Sequence, residues 1–558
     1  MFRINQTYRN INRLRHILIV FIKHGFYRFI EDMDLVSLIP LINRLRKKDE
    51  KEVETSAIPK RLRMVFEELG PAFVKLGQML STRPDLVPAD FVIEFKKLQD
   101  EAPLFDLEVL KNIIEEELKY PLDILFSSFD EKPIAAASIA QVHRATFADG
   151  TELIVKVQRP GIEKTIKSDI SILYILAGLL VKYFPGTKLY NPLGIVDEFA
   201  KAIQKELNFV IEASNAERMA RYFAGDSTLV IPRVFWEYTT QKVLVTRFVD
   251  GISIDNIKRL KDENYDLDEI ANNSINIFLK QVLVHGYFHG DLHPGNILVL
   301  EGNKICLIDF GIVGRINKKM MESVATIFVA SLKEDYDAIA EEYVDMGILD
   351  ETIDIEDFKR DLRDMLEPYY GRSLKNINTG AILFETIQVC IKHNIKIQKE
   401  FILLSRSIMT LEGVARQISP DFNMLEEGKP FIKSLFLQRL SPRRISNDTY
   451  KSLKEVSQFF NVFPRQLKIL LKKMITDKFS IEFKHKGLDD LLGEIDRASN
   501  RISFSLVISA LIIGSSLVMN ISKGPVLGGL SILGIFGYCM SGLLAFILAF
   551  LIIRSGKF

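Results

Sequence analysis

Two charge-free runs near the C-terminal end constrain this chain more than any other feature. Residues 502–522 form 21 uncharged positions between Arg501 and Lys523, and residues 524–553 form 30 between Lys523 and Arg554. A helix of 21 residues is about 31 Å long, the thickness of a bilayer's hydrocarbon core. Ser522, Lys523, Gly524 and Pro525 read as a turn-forming tetrad between the runs. The expectation is a transmembrane hairpin over 501–558. Gly537, Ser541, Ala545 and Ala549 recur every four residues, a small-residue stripe that lets two helices approach closely and offers a surface for a homo-oligomer. Two buried core helices are the alternative, disfavoured because nothing charged or amphipathic marks an exposed face. Arg497 and Arg501 before the hairpin, with Arg554 and Lys557 after it, place both ends and the bulk of the chain on the cytoplasmic face.

The remainder reads as folded protein. The 558 residues are 47% hydrophobic and 26% charged, enough to bury a large core and unlike a disordered chain. The apolar tail accounts for a mean hydropathy of +0.11. Lys plus Arg (73) nearly cancels Asp plus Glu (72), so no global field attracts a polyanion and no nucleic-acid partner is expected. Cys306, Cys390 and Cys539 are scattered and suggest neither a disulfide framework nor a metal knuckle. Residues 1–30 carry Arg3, Arg9, Arg13, Arg15, Lys23 and Arg28 with no acid. A basic amphipathic helix on anionic lipid is preferred there over an organellar transit peptide, because the segment is Ser-poor and runs on without a cleavage-like break. Ile170 to Val181 is too short to span and reads as a core or interface helix.

From Ile134 the period changes. Ile134 to Ala145 leads through Asp149-Gly150 into the β-branched run Leu153 to Val157, two strands joined by a turn. Lys156 sits inside the second strand, where a lysine ordinarily faces solvent. Glu206 to Met219 reads as one helical stretch whose Glu212 is available to pair with it, and Val230 to Val249 as a hairpin turning at Thr239, Thr240 and Gln241.

The sharpest signal is His289-Gly290-Asp291-Leu292-His293-Pro294-Gly295-Asn296, followed by a strand, a turn, a second strand and Asp309-Phe310-Gly311. Asp291 and Asp309 each stand at a strand end. Phosphoryl transfer needs an orienting carboxylate near the nucleophile, which Asp291 would supply. It also needs an amide oxygen for Mg²⁺, from Asn296, and a carboxylate bridging metal and phosphate, from Asp309. Hard oxygen ligands suit Mg²⁺ rather than zinc. A zinc site on one helical face at His285, His289 and His293 is the rival, opposed by Gly286, Gly290 and Pro294-Gly295, which interrupt a helix.

With Lys75-Leu76-Gly77-Gln78, Ala135-Ala136-Ala137-Ser138 and Val155-Lys156-Val157-Gln158-Arg159-Pro160-Gly161, these motifs resemble the UbiB family of atypical kinase-like proteins over roughly residues 60–420. Glu206-Leu207-Asn208-Phe209 ahead of Glu212 belongs to the same set. The resemblance implies an α+β, two-lobed protein-kinase-like fold with an N-terminal helical extension and a C-terminal transmembrane helical hairpin. The expected divisions are basic N-terminal helices (1–59), an extension carrying the Lys75 motif (60–133), an N-lobe (134–250), a C-lobe (251–420), a helical linker (421–500) and the hairpin.

The implied cofactors are ATP and Mg²⁺. Ile134, Ala135, Ala136, Ala137, Ser138, Ile139, Ala140, Gln141 and Val142 would cover the nucleotide. Lys156 would bind its phosphates and pair with Glu212, and Thr246 to Val249 would form the adenine-side hinge. Lys75, Gly77 and Gln78, with Glu206, would make a regulatory lid. Alanines stand where ordinary kinases have a glycine-rich loop, and each Cβ restricts backbone approach to phosphate. Asn208 stands where the family often has Asp, which puts a metal role at that position in doubt.

The implied activity is a membrane-anchored ATPase or atypical kinase supporting isoprenoid quinone (ubiquinone-type) biosynthesis. Its partners would be membrane lipid, isoprenoid quinone precursors and quinone-biosynthesis enzymes, in a bacterial cell membrane rather than a mitochondrial inner membrane. A small-molecule phosphotransferase of the aminoglycoside or choline kinase type and a nucleotide-binding scaffold are the alternatives.

Overall fold

A computed structural model describes residues 2–36, 57–81, 83, 86–98, 104–347, 354–369, 379–439, 488–519, 525–527 and 530–554. The chain divides into two compact units, residues 1–441 and 442–558.

In the first unit, β1 (Ser128–Phe129), β2 (Ala135–Ala136), β3 (Ala140–Thr146), β4 (Glu152–Gln158) and β6 (Val243–Arg247) make an antiparallel sheet in the order β1-β3-β4-β6, with β2 on β3. The strict alternation of β4 puts Leu153, Val155 and Val157 on one face, all fully buried, against Leu110 and Ile114 of the helix Leu107–Leu118. Lys156 faces the other way. Gly150, at φ +83°, makes the β3–β4 turn that a Cβ would strain. The sheet begins at Ser128, ahead of the boundary at 134 expected from the change of period.

The second sheet is β5 (Leu229–Val230), β10 (Lys304–Leu307), β9 (Ile297–Leu300) and β7 (Ile252–Ser253), in that order. β8 (Tyr287–His289) pairs with β11 (Val313–Arg315). The expected hairpin over Val230 to Val249 is therefore divided. Phe235 and Val245 do hydrogen-bond, and Thr240 closes on Val243, but β5 runs parallel to β10 in the second sheet while β6 joins the first. The segment between them is shared by the two lobes, which period alone does not disclose. Residues 248–251 then connect β6 to β7.

The helical stretch expected from Glu206 to Met219 is also two elements, Pro192–Glu206 and Phe209–Tyr222. Asn208 breaks it. Its side-chain oxygen accepts from the Val210 amide at 3.1 Å and caps the second helix.

The N-terminal segment departs from expectation. Its helix, Phe2–Lys23, is amphipathic, but Ile17, Leu18, Val20 and Ile22 are buried within the protein. Ile17 and Val20 pack with Val65, Phe73 and Ile172. Arg13 lies 2.7 Å from Asp169, which is fully buried, and donates to the Leu69 carbonyl at 2.8 Å. An apolar face and a cation so engaged are unavailable to lipid. Helix Ile162–Tyr183, which contains the short apolar run, supplies Asp169 and packs within this core. The C-lobe core extends past residue 420: Phe422, Met424 and Ile432 belong to it, so the helix Met424–Arg439 is part of that lobe rather than of a linker.

In the second unit, helices Leu488–Met519 and Ile532–Arg554 pack side by side. Ala498–Met519 and Ile532–Phe550 are long and apolar enough to cross a membrane, and both are mostly exposed. A Cβ at Gly537 would lie 2.0 Å from Ser515 Oγ, and Ser541 is buried. Gly537 faces Ser515 of the other helix, whereas Ala545 and Ala549 of the stripe are exposed. Residues 522–524 of the turn tetrad lie outside the described residues. Beyond them β12 (Val526–Leu527) and β13 (Leu530–Ser531) pair before the second helix.

Candidate functional site

β4 and the helix Phe209–Tyr222 bring Lys156 and Glu212 together. Lys156 Nζ donates to both Glu212 oxygens at 2.9 and 3.0 Å and to Asp309 Oδ2 at 3.2 Å. Three groups more than 50 residues apart in sequence thus meet at one ammonium. Burial would lower the Lys156 proton affinity, but Asp309 and Glu212 outweigh it and hold the ammonium charged. One cation cannot satisfy two carboxylates equally. Burial pushes the Glu212 carboxyl up to about 7 against the pull of Lys156, with Asp309 adding repulsion. Asp309 resists the same desolvation through Lys156, the Gly311 amide and His289, and is held at about 2. As 46% of its side chain is accessible, cleft water screens these charges.

Asp309 is presented by a strained backbone. Its φ is +57°, a left-handed conformation uncommon outside glycine though tolerated by Asp. Surrounding hydrogen bonds fix it there. The Gly311 amide donates to Asp309 Oδ1 at 3.0 Å, and His289 Nε2 lies 2.7 Å from the Asp309 carbonyl. Asn215 donates to the Phe310 carbonyl at 3.0 Å and accepts from the Tyr287 hydroxyl at 2.9 Å. His289 Nδ1 accepts from the Asp291 amide at 3.2 Å, so Nε2 carries the proton and the ring ties the two loops together. Burial lowers His289 from the ordinary histidine value. His285 is in a helical turn, His289 in β8 and His293 caps a turn at Gly295, so the three do not share a helical face. No cluster of three or more His, Cys, Asp or Glu suited to a metal occurs among the described residues.

Asn296 donates its amide to the Asp291 carbonyl at 3.0 Å, which leaves its side-chain oxygen as a ligand. The Ile308 amide bonds the Asn296 carbonyl at 3.0 Å, holding this loop against the strand that ends at Asp309. One carboxylate and one amide oxygen fit Mg²⁺ shared with phosphate, a cation that keeps few protein ligands.

Arg406, which sequence reading missed, lies 3.1 Å from Asp291 Oδ1. It stands on the helix Lys399–Ile418, 115 residues from Asp291, and no local pattern links the two. Lys96 is close by. Partial burial and, after it, repulsion from Arg406 lower its ammonium from the ordinary lysine value.

The residues expected to cover a nucleotide divide into two groups. Ala135 and Ala136 pair with Val142 and Gln141, Ala137 N bonds Ala140 O at 2.8 Å, and Arg159 Nε donates to Ala137 O at 3.0 Å. The Ala-rich segment is therefore a tight pinned hairpin. Val142 is registered opposite Lys156 on the same face, and Ile134 is exposed. Gln141 is a correction: it alternates to the opposite face, buried, accepting from Phe105 N at 3.1 Å and pairing with His143 at 2.8 Å. Ile139, Ala140 and Ser138 are buried too, the first two within the core that holds Phe73 and Leu76.

Lys75 meets Glu206 at 2.7 Å, joining the extension to the end of the helix Pro192–Glu206. The other lid residues act by packing. A Cβ at Gly77 would lie 2.3 Å from Leu98 and 2.8 Å from Phe66, so a larger residue would force these side chains to shift. Gln78 donates to the Leu98 carbonyl at 3.2 Å.

Comparison with known proteins adds three matched regions. Residues 97–343 match the ABC1 atypical kinase-like domain, residues 362–423 the UbiB helical domain and residues 486–554 the ABC1/UbiB kinase-like C-terminal domain. An uncharacterized protein in the hydrogenase 1 5′ region of Clostridium pasteurianum is 36% identical over 502 residues, covering 89% of this chain and 94% of that one. The "Probable protein kinase UbiB" of Marinobacter nauticus is 37% identical over 386 residues, 68% of this chain and 71% of that protein. Its namesake in Pseudomonas fluorescens is 34% identical over 406 residues, 72% and 76% of the two chains. A solved structure, Rv3197 of Mycobacterium tuberculosis in complex with erythromycin, covers 65% of this chain and 93% of its own at 22% identity and a TM-score of 0.46.

Proposed function

We propose, since the chain belongs to the ABC1/UbiB family of atypical kinase-like proteins, that it is a membrane-anchored kinase or ATPase using Mg-ATP in support of isoprenoid quinone (ubiquinone-type) biosynthesis. One observation carries this reading: Lys156 contacts Glu212 and Asp309 together, as a phosphate-binding lysine must when positioned between an orienting carboxylate and a metal carboxylate.

In this reading each residue has a distinct task. Lys156 meets the α- and β-phosphates, its ammonium kept charged by its two neighbours and oriented by Glu212. Asp309 and Asn296 hold Mg²⁺, which when bound offsets the charge on the transferred phosphoryl group. His289 keeps the Asp309 loop in register with the Asp291 loop. Asp291 orients the attacking oxygen of water or an acceptor, and Arg406 fixes the rotamer from which it does so. Thr246 to Val249, from the end of β6 into the connection to β7, flank the adenine. The pinned alanine hairpin holds its backbone farther from phosphate than a glycine loop would.

The C-terminal helices serve as the membrane anchor, with both ends cytoplasmic by their flanking arginines. Isoprenoid quinone precursors dissolved in the membrane, or the enzymes that modify them, are the partners such an anchor would bring within reach. The test is phosphate release from Mg-ATP by full-length protein in liposomes, with labelled phosphate followed to water, lipid and protein. Release that requires Mg²⁺ supports the proposal. No release, with no nucleotide binding, refutes it.

A further inference from the structure

Two arginines from different elements share one aromatic ring. Arg218 lies on the helix Phe209–Tyr222, which also carries Glu212, and Arg315 ends β11, the strand that follows Asp309-Phe310-Gly311. Their guanidinium carbons stand 5.5 and 5.4 Å from the centroid of the Tyr287 ring. Neither has a carboxylate partner among the described residues, adjacent Glu217 included, and Asp226, just past the helix, is committed to Lys280 at 2.6 Å. Arg315 is exposed and Arg218 half-buried, so ions in solution reach both. A ring face attracts each cation weakly at such a site and carries no net charge to neutralise the pair. The pair therefore keeps its full positive charge for an anion.

The floor beneath the pair is rigid. Tyr287 is 2% exposed, its ring meets Tyr222 edge-on at 5.7 Å, and Tyr222 stacks on His285 at 4.7 Å. Arg315 is registered opposite Tyr287 in the β8–β11 ladder, and the Ile316 amide bonds the Gly286 carbonyl at 2.9 Å. Guanidinium forks match phosphate oxygens bidentately, and a preset pair has less freedom to lose on binding. The same ring leads to the candidate active site, because its hydroxyl donates to Asn215, which donates to the Phe310 carbonyl. An anion gripped by both arginines would tie the Glu212 helix to the strand leaving Asp309. Those two elements supply the carboxylates that meet at Lys156.

We propose that Arg218 and Arg315 form a binding site for a phosphate-type dianion, and that its occupancy fixes the Glu212 helix against β11 and so tightens nucleotide binding. The site itself stands on the two arginines and Tyr287, whereas its effect on nucleotide rests on the functional reading given above. Neither arginine belongs to the nucleotide-facing set, so anion binding is measurable without nucleotide.

The test uses full-length protein in maltoside micelles, with empty micelles subtracted, and follows saturable binding of inorganic phosphate by ligand-observed phosphorus NMR. Arg218→Gln and Arg315→Gln are each expected to weaken binding about tenfold or more. Arg218→Lys, which keeps the charge and loses the fork, is expected to weaken it about threefold, and it decides the matter if a Gln variant does not fold. Adding phosphatidate to the micelles distinguishes the sources of this chemistry: phosphate displaced assigns the site to a lipid headgroup, phosphate retained to the soluble ion, and either supports it. Saturating phosphate is expected to tighten binding of a fluorescent ATP analogue about threefold in the wild type and not in Arg218→Gln. Tyr287→Phe, which keeps the ring and removes the hydroxyl that reaches Asn215, is expected to bind phosphate normally and to lose that tightening. No saturable phosphate binding, or equal binding by the wild type and all three arginine variants, overturns the site. Phosphate binding that leaves the affinity for the analogue unmoved overturns the coupling. Phosphate binding with no analogue binding in any protein refutes the nucleotide reading and leaves the anion site standing.

Discussion

The guanidinium of Arg406 lies 3.1 Å from the carboxylate of Asp291, and both side chains are about one-third exposed. The helical region following the C-lobe strands thus contributes directly to the loop that carries Asp291. An exposed pair of this kind adds little stability. Its effect is to restrict the rotamers of Asp291. Arg406→Ala is expected to lower the phosphate-release kcat about tenfold while nucleotide affinity stays within about twofold, with partial recovery in Arg406→Lys. Measuring kcat and nucleotide Kd on the same preparations checks this. Equal loss of both would make Arg406 a folding residue.

Glu212 supplies a pH dependence whose sign is determined. Its carboxyl rises from an ordinary 4.5 to about 7 through burial, so the folded protein binds a proton that the unfolded chain releases. This contribution to stability is complete below about pH 4.5 and is lost as pH rises through about 7. Glu212→Gln abolishes the titration. Between pH 5 and 8 the wild-type Tm, measured without nucleotide, is expected to fall relative to that of Glu212→Gln. A relative rise would contradict the charge balance assigned to Lys156, Glu212 and Asp309.

Lys75 and Glu206 join the extension to the N-lobe through one ion pair at 2.7 Å. A partly exposed pair contributes about 1 kcal/mol, roughly fivefold in an opening equilibrium. Lys75→Ala and Glu206→Gln are each expected to speed association of a fluorescent ATP analogue by about that factor. The double variant is expected to add little further, because both remove one interaction. Stopped-flow rates equal to wild type would dismiss the lid role.

The anchor is expected to lie in the C-terminal helices alone. Truncation after Asp496 removes both apolar segments, while the apolar face of the N-terminal helix is buried in protein and Arg13 is committed to Asp169. Truncated protein is expected in the soluble fraction after carbonate washing. Retention in the membrane pellet would place an anchor elsewhere.

Much of the site is legible in sequence because its residues lie in short local motifs. Asp291, Asn296 and Asp309 are fixed by strand ends and a loop, and the alternation of β4 shows which side of the strand Lys156 occupies. Three features are not legible, each for a physical reason. Arg406 reaches Asp291 from another helix, a contact no periodicity encodes. The division between β5 and β6 depends on which sheet completes an edge, a tertiary choice. The basic N-terminal helix has the amphipathic pattern of a lipid-surface helix, and the same pattern serves equally well against a protein core. Gln141 was misplaced because a hairpin alternates: its neighbour Val142 faces Lys156, and Gln141 cannot.

The most direct test of the account is Mg²⁺-dependent phosphate release by full-length Asp309→Asn in liposomes. Asp309 touches Lys156, accepts from Gly311 and carries the carboxylate assigned to the metal, so its charge should matter to turnover far more than to folding. The account predicts a folded protein with release reduced about a hundredfold or more. A folded Asp309→Asn protein that releases phosphate at the wild-type, Mg²⁺-dependent rate would contradict it.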